Sequence, residues 1–194
     1  DDETSRGLGD VYKRQAIILR KTMTSESEMS QASEFESDNS DIFDTIVIGA
    51  GAAGIGVGIA LAHSGVGNFV IIDRGSVGSS FASWPDETRF ITPSFPSNSI
   101  GMLDLNSIAV GVSPAYNMRI EHPTGSEYAQ HLQDLAEFFK LPIRENAEVT
   151  QISHQDDLFS VETNDWTILS KNVIWAAGEF LYPCLLYTSD AADD

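Results

Sequence analysis

The chain has 194 residues, of which 42% are hydrophobic and 21% charged, and its 11 Lys/Arg against 29 Asp/Glu give a formal charge of −18. That length supports one domain with its own core, and no apolar run reaches the roughly 18 residues of a membrane span. The acidic balance excludes nucleic acid as a partner, because phosphates would repel the chain and no Lys/Arg cluster offsets the repulsion.

Residues 1–43 read as a disordered tail. Their centre, "TSESEMSQASEFESDNSD" (24–41), is rich in Ser, Glu and Asp and has no apolar period, so solvated disorder is favoured over an interaction tail. "DVYKRQ" (10–15) and "CLLYTS" (184–189) can be encoded by opposite strands of one short DNA sequence resembling the transposon end used in library preparation. Residues 1–15 and 184–194 are therefore expected to be translated adapter, with a fold cut off near residue 183. On that expectation Cys184, the sole cysteine, carries no disulfide or thiol chemistry.

The first strong signal is "DTIVIGAGAAGIGVGIALAHSG" (44–65). Thr45 to Ile48 suit a buried parallel strand, followed by Gly49, Gly51 and Gly54 at the spacing of the dinucleotide fingerprint. In that pattern the first glycine permits the turn and the second admits a pyrophosphate. The third lets the helix pack on the strand, and the helix N-terminus offers free N–H groups to the anion. Gly56 and Gly58 inside this helix imply a close approach to a neighbouring strand. A second strand, "NFVIID" (68–73), ends in Asp73, placed to accept hydrogen bonds from ribose hydroxyls. Arg74 invites the rival of a 2′-phosphate, which Asp73 would repel, so a cofactor without one is favoured.

Gly75 to Pro123 is rich in Ser, Pro and Gly and long for a connection. Trp84, Arg89, Phe90 and Phe95 would either wall a planar cofactor or form a small core of their own. "TGSEYAQHLQDLAEFFK" (124–140) is an amphipathic helix with a Thr124/Glu127 capping box. Three meander strands are expected over 142–155, 158–163 and 166–170, then a buried strand over Val173 to Ala177 that runs into Gly178. None of His63, His122, His131 and His154 has a Cys or acidic partner at ligand spacing, so no metal site is expected.

Taken together, "DTIVIGAGAAGIGVGIALAHSGVGNFVIIDRG", "SWPDETRFITPSFPSNSIGMLDLN" and "VIWAAGEFLYP" resemble the first FAD-binding half of flavoproteins with two dinucleotide-binding domains. Within that group the segment is most similar to flavin-containing monooxygenase-like and bacillithiol-disulfide-reductase-like oxidoreductases. The resemblance implies an α/β fold over 44–183: a truncated Rossmann-like FAD-binding domain with a parallel sheet and a small β-meander. Gly49, Gly51 and Gly54 would hold the FAD pyrophosphate and Asp73 the adenosine ribose. Val149 would meet the adenine through its backbone. Ala177 and Gly178 match the turn where the chain returns to FAD, with Ala177 in place of a Thr, and Trp84 falls near an aromatic beside the flavin. "GSVGSSFASW" (75–84) departs from the Gly-Gly and closely following Trp of monooxygenases.

The implied chemistry is hydride transfer from NAD(P)H to FAD, with electrons passed to O2 or a small acceptor. No catalytic acid or base is identifiable. The nicotinamide site would lie mainly in a further domain, so these 194 residues are expected to be inactive alone. A small-molecule substrate, no membrane and a cytoplasmic location are expected, with oligomeric state open. The alternatives are a non-catalytic dinucleotide-binding redox sensor and a disulfide-reductase-like flavoenzyme.

Overall fold

The computed structural model describes residues 42–95, 104–109 and 111–178. The expected tail up to residue 41, the two adapter-like ends and part of the 75–123 stretch lie outside the described residues, while Phe43, expected to end the tail, opens the first strand. No described helix is long and apolar enough to cross a membrane.

The sheet begins with two short β-branched strands. β1 (Phe43–Ile48) and β2 (Phe69–Ile72) are parallel neighbours, with Val47 opposite Ile71 and Ile48 opposite Ile72. Both faces of this pair are covered, which is why the strands read as continuous apolar runs rather than alternating ones. Val47 and Ile71 join the core under the helices, while Ile46, Ile48, Val70 and Ile72 form a second cluster on the opposite face. The connecting helix α1 (Ala52–His63) lies directly on the strands. A Cβ at Gly58 would come within 2.6 Å of Ile71 and 3.3 Å of Leu141, so that glycine does mark a close approach to a strand. Gly56 faces the backbone of Ile108 instead.

β3 (Ile143–Arg144), β4 (Val149–Gln155), β5 (Leu158–Thr163) and β6 (Thr167–Trp175) complete a six-stranded sheet in the order β3-β2-β1-β6-β5-β4. The first four of these positions are parallel, and β6, β5 and β4 form an antiparallel meander. The expected α/β architecture, a parallel sheet with a small meander, is therefore present. Asp156 and Asp157 both have φ above 50° and close the β4–β5 hairpin as a two-residue turn, the geometry that matches strand twist.

Two strand expectations need correction. The single strand expected over 142–155 is two strands at opposite edges of the sheet. The break falls at Asn146, which takes a left-handed φ of 56° and donates its N–H to the Gly75 carbonyl. Conversely, the strands expected at 166–170 and 173–177 are one strand ending at Trp175, which is 61% exposed rather than buried. Lys171 and Asn172 look like a break but stay extended because they, like Ser170 before them, are tied to β1. Ser170 Oγ donates to the Phe43 carbonyl, Asn172 Nδ2 donates to the Asp44 carbonyl, and Lys171 pairs with the Asp44 carboxylate at 2.7 Å. The strand thus changes partner midway, antiparallel to β5 at its start and parallel to β1 throughout its second half.

The 75–123 stretch contributes two single-turn helices, α2 (Ser79–Ala82) and α3 (Pro114–Asn117). Helix α4 (Gly125–Phe138) follows, with both bonds of the capping box made: Glu127 N–H to Thr124 Oγ1 at 3.2 Å and Thr124 N–H to Glu127 Oε2 at 2.7 Å. That backbone bond holds the Glu127 carboxyl below its ordinary pKa, with the Thr124 hydroxyl and Arg89 adding to it against some desolvation. Phe81, Trp84, Phe90 and Tyr128 pack ring against ring, with centroids 4.6–5.9 Å apart. Trp84 and Phe90 therefore build a small aromatic core, whereas Phe95 is 55% exposed and Arg89 donates to the His122 carbonyl.

His131 on α4 is a packing histidine, 1% exposed, and its Nε2 has no hydrogen-bond partner among the described residues. Burial pushes its pKa below the ordinary 6.5, against smaller opposing pulls from Asp134 and Asp104. The unfolded chain takes up a proton near pH 6.5 that the folded chain refuses. The native state should therefore keep its full stability above about pH 6.5 and lose it as pH falls below that value toward the depressed folded pKa. His131→Leu should melt no lower than wild type at pH 7, because it removes an orphaned polar atom, and should flatten the decline between pH 7 and 5. Thermal melts of both proteins across that range check the expectation.

Candidate dinucleotide-binding site

The site grows from the turn between β1 and α1. Gly49 has φ +111°, and a Cβ there would strike the Ala176 carbonyl oxygen and come within 2.9 Å of Ala177 N. A Cβ at Gly54 would overlap the Gly49 carbonyl oxygen. These two glycines are therefore required for the turn to close against the end of β6, where Ala176 N–H donates to the Ile48 carbonyl at 2.7 Å. Gly51 differs. Its φ of −80° and ψ of −168° suit any residue, and the nearest atom to an added Cβ is Ser80 Oγ at 4.0 Å. Gly51 borders open space, as a close approach by a ligand requires.

Helix α1 begins immediately after that space. Its N-cap is Gly51 with no side-chain cap, and its first turn carries no acidic residue. The N–H groups of the first helical turn have no intrahelical partners and carry the positive end of the helix dipole. An anion beside Gly51 would meet both. The donor set and the cradle left by Gly51 thus fit a pyrophosphate.

Asp73 sits across the turn at the end of β2. Its Oδ2 accepts the Ala50 N–H at 2.6 Å and its Oδ1 accepts the Gly75 N–H at 2.7 Å. The carboxylate joins the fingerprint turn to the following loop and keeps a further lone pair on each oxygen for a ribose hydroxyl. Asp73→Asn would place an NH2 group against one of these N–H donors. We expect it to lower stability by about 1–3 kcal/mol, the usual cost of an unsatisfied partly buried donor, seen as a lower melting temperature.

The structure thus brings Gly49, Gly51, Gly54, Asp73 and Ala177 together. Val149 is half-buried at the start of β4, two residues past Ala147, whose N–H donates to the Asp73 carbonyl at 2.9 Å. Arg74 is exposed on the loop after β2. Gly178, with φ +82°, is exposed beyond β6, with none of the described residues within 4 Å of an added Cβ. Trp84 is half-buried in the aromatic core, and α2 connects that core to the turn by carrying Ser80 beside Gly51 and Phe81 into the rings. Sequence reasoning missed Ser80 and Glu145. Glu145 Oε1 accepts the Val77 N–H at 2.7 Å across 68 residues, a contact no local pattern announces.

Residues 46–191 match the family model described as pyridine nucleotide-disulphide oxidoreductase. The chain belongs to that family. An uncharacterized CzcO oxidoreductase of Bacillus velezensis is 34% identical over 154 residues, covering 78% of this chain and 41% of the relative. The chain thus spans about 41% of that relative's length. Among solved structures, a flavin monooxygenase from Stenotrophomonas maltophilia shares 25% identity at a TM-score of 0.56, over 71% of this chain and 38% of that one. A bacillithiol disulfide reductase from Bacillus cereus shares the fold at a TM-score of 0.61 and 17% identity, over 74% of this chain and 42% of that one. The family name refers to disulphides, yet the chain has one cysteine, Cys184, so no dithiol lies within these 194 residues.

Proposed function

We propose that the chain is the FAD-binding part of an oxidoreductase that takes hydride from NAD(P)H and passes electrons to O2 or a small acceptor, monooxygenase-like. The observation that carries this reading is the open, uncapped turn at Gly51, flanked by Gly49 and Gly54 and tied at Ala50 to Asp73. Gly51 and the first-turn amides of α1 would hold the FAD pyrophosphate, and Asp73 the adenosine ribose. When bound, FAD supplies the hydride-accepting chemistry. This chain's own residues bind and orient it, and Asp73 disfavours a 2′-phosphate at the same place. Resemblance to the Stenotrophomonas maltophilia flavin monooxygenase supports a monooxygenase-like acceptor. The nicotinamide would be bound mainly outside these residues, and a small-molecule substrate in the cytoplasm suits such chemistry.

A protein that carries this segment at the relatives' full length should purify yellow, release FAD on denaturation and oxidise NADH or NADPH steadily. Bound flavin without turnover would favour the redox-sensor alternative. Colourless protein that cannot be reconstituted with FAD would remove both.

A further inference from the structure

We propose that Glu145 is a positioning residue for the pyrophosphate-binding turn, a role that rests on the dinucleotide reading above. Glu145 lies on the linker between β3 and β4, outside the fingerprint and its flanking strands. Its Oε1 accepts the Val77 N–H at 2.7 Å, and Gln133 Nε2 from α4 donates to the Val77 carbonyl at 3.1 Å. The peptide units on both sides of buried Val77 are thus held by side chains from two different elements. The next amide, Gly78 N–H, donates to the Ala50 carbonyl at 3.0 Å. Ala50 N–H is held in turn by Asp73 at 2.6 Å.

These bonds fix the direction of the Gly51 amide. In a trans peptide the C=O and the following N–H point opposite ways. With the Ala50 carbonyl drawn onto Gly78, the Gly51 N–H of the same peptide unit is turned away from the 73–78 loop. Around Asp73 the linker adds backbone support, Asn146 N–H to the Gly75 carbonyl at 3.1 Å and Ala147 N–H to the Asp73 carbonyl at 2.9 Å. Glu145 alone contributes a charged acceptor, and it does so at Val77, one residue before the Gly78–Ala50 bond. Removing its carboxylate frees the loop to relax and lets the Ala50–Gly51 peptide rotate.

The test titrates the 194-residue chain with FAD and with ADP, using adenosine as a phosphate-free competitor, for wild type, Glu145→Ala and Glu145→Gln. Glu145→Gln keeps a side-chain oxygen that accepts the Val77 N–H and loses only the charge. Glu145→Ala should weaken FAD and ADP about tenfold, the effect of losing one charge-assisted hydrogen bond, and Glu145→Gln should recover to within about threefold. Adenosine competition should move less than about twofold, because adenosine has no pyrophosphate to meet the turn. Unchanged FAD and ADP affinity in Glu145→Ala, no recovery in Glu145→Gln, or an equal loss for adenosine would each overturn the role. A wild-type chain that binds neither FAD nor ADP would overturn the dinucleotide reading and this role with it.

Discussion

Gly54→Ala is expected to lose about 3 kcal/mol or more of stability, enough to leave a marginal domain largely unfolded. The added methyl would overlap the Gly49 carbonyl oxygen, and the opposing atoms are backbone, so no rotamer change relieves the clash. The turn is pinned on the other side by the end of β6, where Gly49 abuts the Ala176 carbonyl. To make room, α1 would have to lift from β1, breaking contacts among Val47, Ile55 and Ile59, each nearly or fully buried. Circular dichroism melts against wild type measure the loss. A melting temperature unchanged within about 2 °C would show that the turn is far more pliable than this packing allows.

Gly51→Ala should behave in the opposite way. The backbone there suits alanine, and among the described residues only Ser80 Oγ, at 4.0 Å, lies near the new Cβ. Alanine is a poorer N-cap than glycine, so a stability loss within about 1 kcal/mol is expected. FAD affinity should fall by on the order of 100-fold, because the methyl occupies the space through which the backbone meets a pyrophosphate. The two neighbouring glycines thus separate folding from binding: one variant fails to fold, the other folds and fails to bind. If Gly51→Ala retained wild-type FAD affinity, the pyrophosphate would have to sit elsewhere.

That contrast also shows what was legible in the sequence. Glycine spacing, the β-branched run before it and Asp73 after it specified the turn, because each rests on local geometry. The division of labour among the three glycines was legible too, from their spacing, but the atoms that enforce it are not local. They belong to Ala176 and Ser80, brought in from 127 residues after Gly49 and 29 after Gly51. The Thr124/Glu127 box was readable because both partners lie within one helical turn. The polar pair Lys171-Asn172 was misread as a break because its partner, Asp44, sits on another strand. The same holds at Asn146, whose left-handed turn answers to Gly75 rather than to its neighbours. Glu145 carries no motif at all, and only the fold places it against Val77.

The most direct test of the central claim is an equilibrium titration of the 194-residue chain with FAD, followed by flavin fluorescence, beside the Gly51→Ala variant. A saturable one-to-one complex that ADP displaces, and that Gly51→Ala all but abolishes at an unchanged fold, is the predicted result. No saturable binding, or binding that neither ADP nor Gly51→Ala disturbs, would contradict the assignment of the Gly49–Gly54 turn as the dinucleotide site.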